Sequence, residues 1–473
     1  MIKGDAIYKV LLKYDFDLSR GNSGVYEYLK NHLNQFYLDI TEALAAPNDI
    51  MLKETFVNML KDKMPLLKKL CEEIPEIISA FDNGHIPEAY SRSKTIFEET
   101  KPHLLHRFSQ IDYNGDYYRI RKGDFRISDP SQSIKQKTQM FHIKRNLRNR
   151  IGAYRYSIAG YPCLYLSSDR DLAWFECGLP KQFSYCRMIV TEEGDNALKL
   201  VDFSHRPVEI ISAFNIWVLN ARRQNKEEDE LLNYYEFLIK YIITYPLASA
   251  CSVKVKDRND KFVQEYIFPQ LFMHWILESD EIDGVRYKSS LHSSLVKYRT
   301  AVNIALPVKR FREDGLDEKL TQKIAISDIG YIDINKEFEK KQNVLSEIKN
   351  FKYMLSQYII AAEYCGDYVI DLIDLCECII NVYTALMEGN YENSDLFFTC
   401  INALCDHVDL IQKNCPIIIK ECVEKAPDDK KKYVDASVIE NHINEFHSLA
   451  NQIISKNLAL DFSFENLENF EFI

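Results

Sequence analysis

The stretch RYSIAGYPCLYLSSDRDLAWFE, residues 155–176, predicts a short strand, a turn, a buried strand and the beginning of a helix. The apolar run CLYLS is typical of a buried strand, and the glycine before it indicates the turn. An arginine opens the stretch and a glutamate closes it, at positions where the pattern predicts apolar side chains. Arg155 and Glu176 are therefore candidate functional residues.

Further strand-like runs lie on both sides of that stretch, separated by turns and helical segments. This mixture predicts an α+β domain over residues 109–334. The runs are DYYRIRK, AYRYSI, CLYLSS, SYCRMIVT, ALKLVDF and YRTAVNIALPV.

The regions on either side are predicted to be helical. Residues 1–108 carry apolar side chains at three- and four-residue spacings, and we expect Pro65 and Pro75 to interrupt the helices there. Residues 335–473 return to the helical spacing and close with DFSFENLENFEFI, an acidic and aromatic tail that we expect to pack back or to dock a partner. The sequence therefore predicts all-helical domains before and after the central domain.

The composition narrows the class of protein. A formal net charge of −11 over 473 residues argues against binding to nucleic acid or to an anionic membrane across the whole surface. The 12 cysteines include no Cys-x-x-Cys pair, so we expect free thiols in the reducing cytoplasm and no metal site. No apolar run resembles a signal peptide or a membrane span, so no membrane partner is expected.

A set of charged, aromatic and small residues follows a fixed order through the central domain. Its members are Tyr118–Arg119, then Arg155, Tyr156, Ser157, Gly160, Pro162, Tyr165, Ala173 and Glu176, then Gly284, Tyr287 and Ser289. In this order the chain resembles the RES-domain family, which is related to ADP-ribosyltransferase-like enzymes and includes small toxins that deplete NAD. The resemblance covers about residues 113–310 and implies a catalytic domain with a mixed sheet. The chain departs from the small toxins at Tyr156–Ser157, where they have Trp-Asn, and in its large helical flanks.

The resemblance implies NAD as the substrate, with no metal. It implies Glu176, Arg155, Arg119 and Ser289 as catalytic residues, and Arg119, Arg155, Tyr156, Tyr165, Ser157 and Gly160 as NAD-binding residues. Guanidinium groups would pair with the pyrophosphate, and a fixed carboxylate would stabilise the oxocarbenium-like ribose. Tyr165 would stack on the nicotinamide or the ribose, and Ser289 would bind substrate or position Glu176 or Arg119.

We therefore expect an enzyme that cleaves the nicotinamide–ribose bond of NAD, a glycohydrolase with water as acceptor or a phosphorylase with phosphate. The resemblance further implies a toxin or phage-defence effector. Because such activity harms the producing cell, we expect an antitoxin or regulatory protein as partner. The helical flanks are the expected site of that control, through the partner or through a homo-oligomer.

Three other functions stay open. The first is an ADP-ribosyltransferase acting on protein or nucleic acid, and the second is a non-catalytic RES-like module that senses a nucleotide or docks a partner. The third is a nucleic-acid binder that uses the basic run HIKRNLRNRIGAYR. We interpret that run instead as a positive rim that attracts an anionic dinucleotide, because the acidic flanks would oppose a polyanion.

Structural roles compete with the functional ones for single residues. Glu176 could be an exposed residue of an amphipathic helix, and Tyr165 an aromatic residue of the core. Arg155 could pair with an aspartate of the following loop. The residues with competing structural roles are Arg121, His142, Tyr165, Glu176 and Arg155. The candidate ion-pair partners of Arg155 are Asp169 and Asp171.

Overall fold

The computed structural model describes most of the chain up to residue 333 and little beyond it. The predicted C-terminal helical domain, 335–473, therefore lies largely outside the described residues. These are 6–14, 18–45, 54–105, 116–126, 133–178, 180–190, 198–223, 228–256, 260–289, 302–333 and 470–472, with scattered positions between 349 and 448.

The described N-terminal residues are mostly helical, as predicted. The helices are α1 (Ala6–Lys13), α2 (Val25–Ala45), α3 (Glu54–Asp82) and α4 (Ile86–Thr100). The stripe of α2 that includes Leu29, Leu33 and Phe36 is fully buried, because residues three and four apart share one face of a helix. Gly84 turns the chain before α4 with a φ of 84°.

Pro65 and Pro75 do not interrupt a helix, so that prediction was wrong. Helix α3 continues through both positions. An interior proline removes a backbone donor and costs about 3 kcal/mol. Helix α3 packs against α2, α4 and a later helix, α8 (Glu228–Ser252), and buries side chains along its length. Tertiary packing therefore outweighs the local cost of the two prolines.

The central region is α+β, as predicted. Among the described residues, nine strands form one sheet in the order β4-β5-β6-β2-β1-β3-β7-β9, and β8 also pairs with β3. Strands β4 and β5 are parallel, and the other pairs are antiparallel. The strands are β1 (Asp116–Lys122), β2 (Cys163–Ser167), β3 (Gln182–Val190), β4 (Leu200–Phe203), β5 (Gly284–Tyr287), β6 (Asn303–Pro307), β7 (Ile324–Ile326), β8 (Gly330–Asp333) and β9 (Glu471–Phe472).

Helices connect these strands and cover the sheet. They are α5 (Ser133–Met140), α6 (Arg170–Glu176), α7 (Pro207–Arg223), α8 (Glu228–Ser252), α9 (Ile267–Glu278) and α10 (Glu318–Lys323). None of the described helices is both long enough and apolar enough to cross a membrane.

One of the six strand-like runs is not a strand. In AYRYSI, Arg155 and Tyr156 occupy the corner of a tight turn that is closed by backbone hydrogen bonds between Tyr154 and Ser157 at 3.0 and 3.1 Å. The run has β-type composition, but these paired backbone groups keep the turn from joining the sheet. The other five runs contain β1, β2, β3, β4 and β6.

The N-terminal helices and the central region share one apolar core. Helix α3 packs against α8 and α4 packs against α9. The buried cluster includes Phe36, Phe97, Tyr245 and Phe272, and it extends to β5 and β6 through Val285 and Ala305. A second cluster lies under α10 and includes Leu164, Leu166 and Ile304. The predicted boundary near residue 108 stays a prediction.

The last described residues return to the sheet. Strand β9 pairs with β7 through Ala325↔Phe472 and Ile326↔Glu471, and the guanidinium of Arg187 lies 5.3 Å from the centre of the Phe470 ring. This part of the tail packs back on the protein, which is one of the two expectations for it.

A buried ion-pair network joins β4 to β5. Arg286, 1% exposed, donates from Nη1 to Asp202 Oδ2 at 3.2 Å and from Nη2 to the Tyr117 hydroxyl at 2.9 Å. Ser204 donates to Asp202 Oδ1 at 2.6 Å, and His205 Nε2 lies 3.4 Å from Oδ2. Burial alone would raise the pKa of Asp202, but His205 and Arg286 outweigh it and hold that pKa well below its ordinary value. Asp202 in turn raises the pKa of His205 against the effect of burial.

Candidate functional site

Glu176 lies at the end of α6 with its side chain exposed. Asp169 begins this helix, because its Oδ1 accepts the backbone N–H of Leu172 at 2.9 Å. The middle of α6 is anchored by the buried Trp174, whose Nε1 donates to the Pro180 carbonyl at 3.0 Å. The helix thus ends with a carboxylate that is exposed but held on a fixed backbone.

Two side chains from the sheet bind one oxygen of that carboxylate. Ser289, just after β5, donates its hydroxyl to Glu176 Oε1 at 2.6 Å. Asn303, the first residue of β6, donates from Nδ2 to the same Oε1 at 2.8 Å. The other oxygen, Oε2, has no protein partner among the described residues. Of the three roles expected for Ser289, binding substrate or positioning Glu176 or Arg119, the structure contains the contact with Glu176.

Asn303 was missed in the sequence. It is 3% exposed and lies opposite Ser167 of β2 and Tyr287 of β5. A polar amide at the head of the apolar strand NIALP was the available signal, because a buried amide needs hydrogen-bond partners. The partner is on a helix more than a hundred residues earlier, which spacing along the chain does not show.

A second hydrogen-bonded group adjoins the first on the same face of the sheet. The hydroxyl of Tyr165 lies 2.7 Å from Oγ of Ser157. The backbone carbonyl of Tyr165 accepts a hydrogen bond from Nη1 of Arg119 at 2.7 Å. Tyr165 stands two residues from Ser167, which lies opposite Asn303, so side-chain alternation puts Tyr165 and Asn303 on one face. The structure thus brings Glu176, Ser289, Tyr165 and Ser157 to one region.

Arg119 bridges two strands where their pairing ends. Strands β1 and β2 pair at Tyr118↔Ser167, and beyond that pair the Arg119 guanidinium reaches the Tyr165 carbonyl. Its buried Nε has no hydrogen-bond partner among the described residues. Burial and the neighbouring Arg121 lower the pKa of Arg119 to about 10, so it stays protonated at neutral pH.

Arg155 is tied to the end of α8. Its Nη1 donates to the Cys251 carbonyl at 2.8 Å and its Nη2 to the Val253 carbonyl at 3.0 Å. Its guanidinium lies 5.5 Å from the centre of the Tyr266 ring. A cation at the C-terminus of a helix compensates the partial negative charge there. Two of its donors are therefore used within the protein.

Tyr156 and Gly160 shape this turn. Tyr156 is fully buried, with its ring centre 4.6 Å from that of Tyr287, so it provides no exposed surface for a ligand. Gly160 has a φ of 81°, the left-handed conformation that favours glycine, and the predicted turn before β2 is confirmed.

Tyr287 lies between the carboxylate and the Arg155 turn. Burial raises its pKa well above the ordinary tyrosine value, the nearby Glu176 charge adds to that, and Arg155 opposes it. Tyr287 therefore stays a neutral phenol across the usual pH range.

Arg121 and His142 have structural contacts. Arg121 donates to the Gln139 carbonyl and packs over the ring of Phe125. His142, 1% exposed, pairs through Nδ1 with the Ile143 carbonyl at 3.0 Å and accepts the Asp317 N–H on Nε2 at 2.8 Å. This pairing requires the neutral ring with its proton on Nδ1. Burial lowers the pKa of His142 to about 4.

We expect the free energy of unfolding to fall between pH 6.5 and pH 4. The folded-state pKa of His142, about 4, lies below the unfolded value near 6.5, so the unfolded chain binds the proton better in this range. The stabilisation is complete above pH 6.5, and roughly 3 kcal/mol of it is lost as the pH drops to 4. Urea unfolding at several pH values measures it. His142→Gln should flatten this slope, and an unchanged slope would contradict the assignment.

The partly buried His32, whose pKa is also lowered to about 4 by burial, titrates in the same window. His32→Gln is therefore the matched variant for the His142 measurement, and it should remove a comparable part of the slope, since both pKa values are lowered from about 6.5 to about 4.

The basic run forms an exposed surface. Residues Arg145–Arg150 make one short 3-10 helix whose side chains are exposed, and the guanidinium of Arg145 lies 5.4 Å from the Phe311 ring centre. In the described part of the chain, no group of three or more His, Cys, Asp or Glu residues is placed to hold a metal ion.

Comparison with known proteins gives one similarity. A protein of Bacillus subtilis (strain 168) named "Putative toxin YopC" is 30% identical to this chain over 275 residues, 56% of this chain. The match spans 59% of that relative, less than two thirds of its length. No family model matches the chain, and no solved structure matches it. The resemblance to the RES-domain family therefore rests on the motif residues alone.

Proposed function

We propose that this protein cleaves the nicotinamide–ribose bond of NAD, as a glycohydrolase or a phosphorylase, and acts as a toxin or phage-defence effector. The observation that carries the proposal is the exposed Glu176 carboxylate, held by Ser289 and Asn303 through a single oxygen. Two donors on one oxygen fix the group's orientation and leave Oε2 for the substrate. A carboxylate fixed in this way suits a reaction in which positive charge develops on a ribose.

The surroundings of Glu176 suit an anionic nucleotide. Arg119 stays charged near neutral pH and reaches the site through the Tyr165 carbonyl, while its buried Nε has no hydrogen-bond partner in the described part of the chain. Tyr165 adds an aromatic ring on the same face of the sheet, and the exposed arginines of the basic run add positive charge to the surface. In this arrangement Arg155 supports the site by holding its turn to α8, through hydrogen bonds to the Cys251 and Val253 carbonyls.

The proposed role as a toxin is based on the similarity to the Bacillus subtilis protein. A protein that shares 30% identity with this chain carries the name of a toxin. NAD loss would harm the producing cell, so we propose that an antitoxin or regulatory protein, or self-association through the helical regions, restrains the activity.

The first experiment is NAD turnover by the purified chain, with and without phosphate. We expect nicotinamide release, and the dependence on phosphate identifies the acceptor. ADP-ribose as the product indicates water, ADP-ribose 1-phosphate indicates phosphate, and label carried on protein or nucleic acid indicates an ADP-ribosyltransferase. Absence of nicotinamide release under all these conditions, together with unimpaired growth of expressing cells, would reject the enzyme.

A non-catalytic nucleotide sensor is the second candidate. It is favoured by the burial of Tyr156 and by the use of two Arg155 donors inside the protein. Calorimetric titration of NAD separates the two functions, because a sensor binds NAD without releasing nicotinamide.

A further inference from the structure

We infer that Asn303 is a positioning residue for Glu176, selecting which carboxylate oxygen faces the substrate. The inference rests on the proposed function, and it adds a residue that is absent from the motif set. Its basis is the 2.8 Å hydrogen bond from Asn303 Nδ2 to Glu176 Oε1 and the burial of the Asn303 side chain, which is 3% exposed.

The sheet holds Asn303 more rigidly than it holds Ser289, the other side chain that donates to Glu176. Asn303 belongs to β6 and has paired strands on both sides, with Ser167 opposite it on β2 and Tyr287 on β5. Ser289, in contrast, follows the last residue of β5. A side chain on a central strand is fixed by its backbone, so Asn303 provides the stable reference for the carboxylate.

The chemistry of the amide explains the choice of residue. The NH₂ group of asparagine only donates, so it always presents a hydrogen-bond donor to Oε1 and never competes with it as an acceptor. With Ser289 also donating to Oε1, two donors fix the same oxygen, and Oε2 has no partner among the described residues. An ionised, oriented carboxylate is the form that stabilises positive charge on the ribose.

The first test does not depend on turnover. Asn303→Asp places a second carboxyl group within hydrogen-bond distance of Glu176, and two such groups cannot both ionise freely. We expect the melting temperature of this variant to drop by several degrees at pH 8 and to recover as the pH is lowered and the pair shares a proton. The double variant Asn303→Asp, Glu176→Gln should lose most of that pH dependence. Equal pH dependence in both backgrounds would show that the contact is absent and overturn the inference.

The second test uses kinetics. Asn303→Ala should lower kcat for NAD cleavage by about 10- to 100-fold with a smaller change in KM, because the substrate still binds while the carboxylate loses its orientation. Asn303→Asp should move the acid limb of the pH–rate profile upward by about one pH unit or more. Loss of folding alone would also lower the apparent kcat at unchanged KM, so kcat is divided by the folded fraction measured by circular dichroism; it would not move the acid limb of the pH–rate profile.

Ser184→Ala is the matched control, because Ser184 is a fully buried polar residue of β3 that bonds the Gly123 carbonyl at 3.0 Å. It deletes a buried hydrogen bond in the same sheet and should leave kcat unchanged. An Asn303→Ala variant with wild-type kcat would overturn the inference. If the wild-type chain itself releases no nicotinamide, the proposed function fails, and the melting experiment still tests the contact between Asn303 and Glu176.

Discussion

Glu176→Gln should lower the rate of NAD cleavage by about 10³-fold or more, while NAD binding changes by only a few-fold. Glutamine keeps the shape of the side chain and the oxygen that accepts Ser289 and Asn303. It removes the negative charge that would face the developing cation. The loss should therefore appear in kcat, measured as nicotinamide release, and be small in a calorimetric titration with NAD.

Glu278→Gln provides the control for this substitution. Glu278 is an exposed glutamate of α9 that pairs with Lys94 at 2.8 Å, and its ionic partners in the described part of the chain, Lys94 and His274, are not site residues. This variant should retain full activity. An active Glu176→Gln enzyme would remove Glu176 from the chemistry, and equal losses in both variants would indicate a general effect of charge.

Arg286→Met should destabilise the protein by about 3–5 kcal/mol, because it leaves the Asp202 carboxylate buried without its guanidinium partner. Both side chains of the pair are 1% exposed, so water cannot replace the lost contact. Urea unfolding at pH 7 measures the change. The double variant Asp202→Asn, Arg286→Met should recover part of the loss, since it no longer buries an unpaired charge.

The same ion-pair network predicts that the free energy of unfolding falls both as the pH is lowered and as it is raised. The folded-state pKa of Asp202 is depressed, so its contribution is present above the unfolded value and is lost as the pH falls. The pKa of His205 is raised, so its contribution is complete below about 6.5 and is lost as the pH rises through the folded-state value.

An Arg286→Met variant as stable as the wild type would contradict the proposed importance of the network.

The sequence predicted those parts of the fold that local pattern determines. The apolar stripe of α2 and the strand-like runs DYYRIRK and SYCRMIVT were enough to place α2, β1 and β3. The turn at Arg155 was predicted as a strand, because β-type composition does not reveal the backbone pairing of Tyr154 with Ser157. The two prolines of α3 do not interrupt the helix, because its packing against distant helices outweighs their local cost.

The candidate site also combines contacts that agree with the sequence motif and contacts that depend on tertiary packing. The contact between Glu176 and Ser289 agrees with the order of the motif residues. Asn303 carries no local signal of its partner, because the hydrogen bond depends on how α6 packs on β1 and β2, the strand next to β6. The placement of Arg155 at the end of α8 also depends on packing between segments about 96 residues apart along the chain. The roles of Arg119, Tyr165 and the other NAD-binding residues stay predictions.

The shared core of α3, α4, α8 and α9 has a consequence for amide hydrogen exchange. Helix α8 packs against α3, and its end binds Arg155, so local opening of the N-terminal helices would also release the turn at the site. Amides in α3 and α8 should then exchange through one cooperative opening, at a rate set by the same free energy. A ligand that binds the closed site would slow exchange in α3 as well, although the hydrogen-bond partners described for Glu176 and Arg155 lie outside α3.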